Sequence, residues 1–296
     1  MSFTDDVKTE LCSARPNSNL IFAEIYGILL FCREFSFSEI KLQTSSKETA
    51  GRFALLLRQG FDIFAETKVG GTKKPCYRVI VSSPSDRKKI LFHFGYKPTD
   101  KICINKNLLK TEGSIGAFCR GVFLSGGAIS NTEKEYRIDF NTKNLELAKE
   151  FCSLLADKGI SLKISERTNG CCAYSKKSEE IEDLLTIMGA GGETLNLINI
   201  KIYKSVRNRL NRVNNFETSN ILKTADAAFV QRTAIEKYQK MGKLETLPEE
   251  LLEVAKLRLE NPDSPLSALS KLSKTKLTRS GINHRMKKLL ELINEE

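Results

Sequence analysis

No stretch of this 296-residue chain approaches the roughly 20 consecutive apolar residues that span a bilayer, so a helical membrane protein is excluded. The first residues, Met-Ser-Phe-Thr-Asp-Asp, lack the basic region and apolar segment of a secretory signal, and a cytoplasmic location is expected. The eight cysteines include no Cys-x-x-Cys, the only close pair is the adjacent Cys171-Cys172, and just two histidines, His93 and His284, exist to complete a metal set. That spacing argues against zinc and leaves the cysteines as small, mostly buried hydrophobes of a reducing compartment. Gly-x-Ser-x-Gly, a Cys/His pair and clustered carboxylates are also missing, so neither catalytic machinery nor a cofactor is expected. Gly189-Ala190-Gly191-Gly192 follows a helix rather than a strand and no helix is expected to begin after it, so it reads as a helix stop, not a phosphate loop.

Acid is absent where base is concentrated. Residues 201–214 hold five Lys/Arg and residues 271–288 hold seven, with no Asp or Glu in either. Those twelve charges exceed the net +11 of the whole chain. Concentrated positive charge draws polyanions, chiefly nucleic acid, through counterion release.

What is present is a repeat. Ala23-Glu-Ile-Tyr-Gly27-Ile-Leu-Leu-Phe-Cys32-Arg33 and Ala117-Phe-Cys-Arg-Gly121-Val-Phe-Leu-Ser-Gly126-Gly127 each place a small residue one helical turn before a glycine, then a bulky apolar run. Two such helices can press backbone to backbone through Gly27 and Gly121. After the first comes a strand region at 35–44, a helix from the capping pattern Ser45-x-x-Glu48 to about 59, strands near 61–69 and 75–82 joined by a Gly70-Gly71 turn, and a helix from about 85 to before Gly95. After the second come strands near 127–131 and 135–141, a helix at 143–158 ended by Gly159, strands near 160–166 and 171–175, and a helix at 178–189.

The paired motif resembles that of LAGLIDADG homing endonucleases. In those enzymes an aspartate at the penultimate motif position holds divalent metal; here the matching positions are Cys32 and Gly126, and soft sulfur or no side chain cannot replace a carboxylate. Glu24, Glu34 and Asp139 lie near the motifs but off those positions and are expected to be surface or structural groups.

The remainder reads differently. Residues 205–218, rich in Asn and Arg with little apolar periodicity after Leu210, are expected to be a basic linker or phosphate-contacting strap. Helices are expected at 219–241, 247–260, 264–273 and 280–294. The last two have the layout of a helix-turn-helix. Ile282, Met286, Leu289, Leu290 and Ile293 share one face toward Leu266, Leu269 and Leu272, which sends Ser280, His284, Lys287 and Lys288 outward, with Asn283 and Arg285 on the flanks. Asn283 and Arg285 suit base edges; the lysines, including Lys274 and Lys276, and Arg279 suit phosphates, as do Arg207, Arg209, Asn211 and Arg212 in the strap.

Over nearly its whole length the chain resembles the WhiA family of bacterial regulators. The residues carrying the match are Cys119-Arg-Gly-Val-Phe-Leu-Ser-Gly-Gly-Ala-Ile-Ser130, Tyr136-Arg-Ile-Asp-Phe140, Met188-Gly-Ala190, Arg207-Asn208, Asn211-Arg212, Asn214, Asn220, Lys223-Thr224 and Ser280-Gly-Ile-Asn-His-Arg285. The resemblance implies an α+β, two-lobed LAGLIDADG-like domain of tandem αββαββ(α) repeats without catalytic activity, followed by an all-α helix-turn-helix domain. The expected boundaries are 1–112 and 113–204 for the lobes, 205–218 for the linker and 219–296 for the helical domain, with the helix-turn-helix at 264–294. The resemblance also implies sequence-specific binding of double-stranded DNA, transcription regulation linked to cell division, chromosome segregation and, in some bacteria, sporulation, a nucleoid location, and a further regulator or cell-division protein as partner. Because each lobe duplicates the other, a monomer is compatible with the pattern. The competing expectations are an active endonuclease with unrecognised acids and an RNA-binding protein.

Overall fold

The structure, a computed structural model, describes residues 2–71, 75–131 and 136–295, and the chain divides into two units, Met1–Lys201 and Ile202–Glu296. The first unit holds α1 (Phe3–Ser13), α2 (Ile21–Phe31), β1 (Glu34–Phe35), β2 (Ile40–Thr44), α3 (Lys47–Phe61), β3 (Glu66–Gly70), β4 (Cys76–Ile80) and α4 (Pro84–His93). It continues with α5 (Ser114–Gly126), β5 (Gly127–Asn131), β6 (Tyr136–Thr142), α6 (Leu145–Ala156), β7 (Lys163–Arg167), β8 (Gly170–Ser175) and α7 (Ser178–Met188). Two antiparallel four-stranded sheets result, ordered β1-β2-β4-β3 and β5-β6-β8-β7, which is one αββαββα pattern used twice. The links at 72–74 and 132–135, and with them the expected strand start at 135, lie outside the described residues.

Local chemistry sets most boundaries. Ser46, Ser83 and Asn144 accept the first free backbone N–H groups of α3, α4 and α6, and Pro84 sits in the first turn of α4, where no N–H is needed. Gly189 ends α7 at φ +92°, a left-handed conformation that glycine adopts without a side-chain clash. In each lobe the first helix of the repeat is buried nearly all round, because it packs on its own sheet and on the other lobe. α2 and α5 form the most extensive helix contact in the chain. A Cβ on Gly27 would fall within 3.0 Å of the Phe118 carbonyl oxygen and the Val122 nitrogen, and one on Gly121 within 3.0 Å of the Glu24 carbonyl oxygen and the Ile28 nitrogen. The two positions are related by the pseudo-symmetry of the repeat, and each opposes partner backbone.

Several expectations change. The strand region at 35–44 is two strands separated by a turn at Ser36–Glu39, where the Ser36 N–H donates to the Glu39 carbonyl at 2.9 Å. An unexpected N-terminal helix, α1, opens with a reciprocal Ser2–Asp5 capping box and buries Val7 and Leu11. All eight cysteines are free; Cys119, Cys171 and Cys172 are buried, but Cys103 is exposed. A helix does begin at the glycine stop: α8 (Gly191–Lys240) starts in the first unit and ends in the second. Its first turn is occupied by the Glu10 carboxylate of α1, which accepts from the Gly192 and Glu193 N–H groups at 2.7 and 2.8 Å. A chain carboxylate therefore fills the place where a phosphate would bind.

The second unit contains the remainder of α8, α9 (Glu249–Glu260), α10 (Leu266–Leu272) and α11 (Arg279–Glu295) around a core that includes Ile235, Tyr238, Val254, Leu269, Ile282, Met286 and Leu289. Residues 205–218, expected to be a linker, are helical and belong to α8. Ile202, Val206, Leu210 and Val213 recur at helical spacing there but remain exposed, so the apolar pattern exists without a core beneath it.

Candidate nucleic-acid interface

α10, the turn at 273–278 and α11 form the helix-turn-helix. Ile282, Met286 and Leu289 bury one face of α11 against Leu269 and α9. The Thr278 hydroxyl accepts from the Gly281 N–H at 3.2 Å and satisfies one free donor of the first turn. Glu253 of α9 holds the turn: its carboxylate accepts from the Ser273 hydroxyl at 2.8 Å, the Lys274 N–H at 2.9 Å and the Thr275 hydroxyl at 3.0 Å. Desolvation pushes the Glu253 carboxyl up, but those hydrogen bonds outweigh it and hold it below its ordinary value. Lys276 adopts φ +47°, which carries the chain sharply from α10 into α11.

With that core face buried, Arg279, Ser280, Asn283, His284, Lys287 and Lys288 are all exposed on α11, and Lys274 and Lys276 are exposed in the turn. Arg279, Ser280, Asn283 and His284 fall in its N-terminal turns. Arg285 departs from expectation. It is half-buried and faces α9, with ion pairs to Glu250 at 3.4 Å and Glu253 at 3.8 Å. Its charge is committed to holding α11 on α9, and it does not share the exposed face. Arg207, Arg209, Asn211 and Arg212 are exposed on α8. Arg212 precedes Ala228, the first α8 residue buried in the second unit, by about 24 Å of helix, so these groups stand on a part of α8 with no core beneath it.

In the first unit the base of the α2–α5 pair opens onto a cavity of about 400 Å³ lined by Cys32, Arg33, Gln43, Asn141, Lys143 and Arg167 among others. The Cys32 thiol donates to the Glu34 carbonyl at 3.0 Å, and burial pushes it up to about 12, so it stays protonated at neutral pH. At Gly126 a Cβ would lie within 3.0 Å of the Asn141 carbonyl oxygen, leaving no room for a side chain. Of the nearby acids, Asp139 is engaged by Arg137 at 2.8 Å and the Cys172 thiol at 3.0 Å, and Glu34 by Lys143 at 3.0 Å. Glu24 is buried in an ion cluster. Among the described residues no group of three or more His, Cys, Asp or Glu is placed to hold a metal ion. No helix among the described residues is long and apolar enough to cross a membrane.

Residues 115–207 match the model of the WhiA LAGLIDADG-like domain and residues 210–293 that of the WhiA C-terminal HTH domain. The chain is 35% identical to the probable cell division protein WhiA of Clostridium perfringens and 34% identical to that of Clostridium botulinum, covering 100% of this chain and 98% of each relative. It belongs to the WhiA family. Its fold is that of the full-length DUF199/WhiA crystal structure from Thermatoga maritima, with a TM-score of 0.61, 24% identity, and coverage of 100% of this chain and 99% of that one.

Within this WhiA-family chain the residues missed by sequence reasoning are the ones that position the site. Glu253 and Glu250 carry no local signal, because on α9 they look like ordinary solvent-facing acids until the turn and Arg285 are brought against them. A more general cue was available in the Ser273-Lys-Thr275 turn, which presents donors without an acceptor of its own.

Proposed function

We propose that this WhiA-family protein is a sequence-specific DNA-binding regulator without nuclease activity, acting in the control of cell division and chromosome segregation and, in relatives that sporulate, of that programme. The observation that carries the reading is the exposed, donor-rich N-terminal half of α11, with Ser280 and Asn283 free of the core beside Arg279 and His284. Asparagine can bond bidentately to adenine in the major groove, whereas the lysines and Arg279 have the charge for phosphates. With Arg285 tied to Glu250 and Glu253, base readout falls chiefly to Asn283. The name probable cell division protein, borne by the clostridial relatives, supports the biological setting. The protonated Cys32 thiol and the absence of space at Gly126 support the non-enzymatic reading. On this reading the protein works at the nucleoid, in the cytoplasm.

Selection of a preferred duplex followed by competition binding tests the division of labour. Asn283→Ala is expected to reduce preference for the selected site over random duplex by about 10-fold, within the roughly 1–3 kcal/mol of one bidentate contact. Arg207→Gln with Arg212→Gln is expected to weaken all duplexes alike and to flatten the slope of log affinity against log salt by up to about 1.8. Equal effects of both changes on every duplex would contradict it, structured RNA outcompeting duplex DNA would favour the RNA-binding reading, and magnesium-dependent strand scission by the pure protein would restore the endonuclease.

A further inference from the structure

The helical unit contains a cleft of about 640 Å³ which the reading above does not use. Its floor is one face of α8, where Asn220, Lys223, Thr224 and Gln231 recur at helical spacing; Arg258 of α9 and Arg279, the first residue of α11, close it. No Asp or Glu is among its lining residues. Lys223 and Arg279 are exposed and make no ion pair among the described residues. Two side-chain atoms of its lining residues are buried without a hydrogen-bond partner. Gln231 is 8% exposed and its Oε1 accepts nothing. Arg258 is 1% exposed, and although its guanidinium donates to the Asn261, Pro262 and Ser264 carbonyls at 3.3, 3.3 and 2.7 Å, its Nε is unpaired. Both atoms are closed off from the open volume of the cleft, whose accessible donors are the exposed side chains of Asn220, Lys223 and Arg279.

We propose that this cleft is a phosphate site. Lys223 and Arg279 supply two full positive charges, and the exposed Asn220 amide a further donor, with no carboxylate among the lining residues to compete. A group with several acceptor oxygens and negative charge matches that set; a cation or an apolar ligand does not. The phosphate is either that of a DNA backbone or that of a free nucleotide. The first source rests on the proposed DNA reading and is favoured by continuity, since Arg279 borders both the cleft and the exposed face of α11 that begins with Ser280. In that arrangement α8 grips the strand beside the bases that α11 reads, and fixes the register of the recognition helix.

Lys223→Gln and Arg279→Gln in the full-length chain test the site, with far-UV circular dichroism as the check on folding. For a backbone phosphate, each is expected to weaken specific and random duplexes by the same several-fold factor and to reduce the salt slope by about 0.9, while leaving site preference at the wild-type ratio. For a free nucleotide, ADP or inorganic phosphate without DNA is expected to raise the melting temperature of the wild type but not of Lys223→Gln, with the salt slope on DNA unchanged. Wild-type behaviour of both variants in both assays overturns the phosphate site; if Asn283→Ala still loses site preference in that case, the DNA reading stands without it. Conversely, a Lys223-dependent response to phosphate in a protein that binds no duplex would retain the cleft and remove the DNA reading.

Discussion

Gly121→Val is expected to unfold the two-lobed unit. The added side chain would be driven into the backbone of α2 at Glu24 and Ile28, not into a flexible neighbour that could turn aside. Overpacking a core ordinarily costs about 1–3 kcal/mol because side chains shift to other rotamers. Here the only relief is separation of α2 and α5, the helices that join the lobes and bury Ile25, Ile28, Leu29, Phe118 and Val122 between them and their sheets. A loss of at least about 4 kcal/mol is expected, a large part of the roughly 5–15 kcal/mol that holds a domain together. Gly27→Val should match it, since the repeat places Gly27 against Phe118 and Val122 in the same way. Gly51→Ala is the control: it lies exposed inside α3 with nothing within 4 Å of its Cβ, and should raise stability by about 0.5–1 kcal/mol. Urea unfolding followed by far-UV circular dichroism separates these outcomes, and a midpoint for Gly121→Val equal to wild type would refute the backbone-contact account.

The second large effect is expected at Glu24. Its carboxylate is 2% exposed, accepts from Arg52 Nε at 2.8 Å and from the second guanidinium nitrogen at 2.9 Å, and lies 3.3 Å from Arg120 Nε. Arg52 also donates to the Cys12 and Ala14 carbonyls, so one cluster ties the end of α1 to α2, α3 and α5. Glu24→Gln keeps the shape but leaves two guanidinium groups facing no negative charge, and removing one partner of such a pair costs about 3–5 kcal/mol. Replacing Glu24 and Arg52 together by methionine should cost less than the two single losses added, because only Arg120, and not Arg52 as well, is then left without its carboxylate. Strict additivity in that double-mutant cycle would show that the groups act independently.

These two sites mark how far the chain could be read without its structure. Gly27 and Gly121 stood out because a glycine between a small residue and an apolar run has a local signature, and the helix-turn-helix stood out because Ile282, Met286 and Leu289 are spaced by one helical turn. The segment 205–218 misled because its asparagines resemble a linker, whereas the structure places it inside a continuous α8. Glu24 appeared only as an acid near a motif. Its role depends on Arg52, which is brought from another helix, and no periodicity within either helix predicts that meeting.

Hydrophobic spacing, caps and glycines act over a few residues, so the sequence alone was sufficient for the tandem repeat, the helix-turn-helix and the outward turn of Ser280 and His284. Charge pairing acts through space between elements far apart in the chain. Only the tertiary structure could therefore decide that Arg285 belongs to Glu250 and Glu253 and that Glu10 caps α8. For the same reason, only the fold could bring Lys223 and Arg279, more than fifty residues apart, to one acid-free cleft.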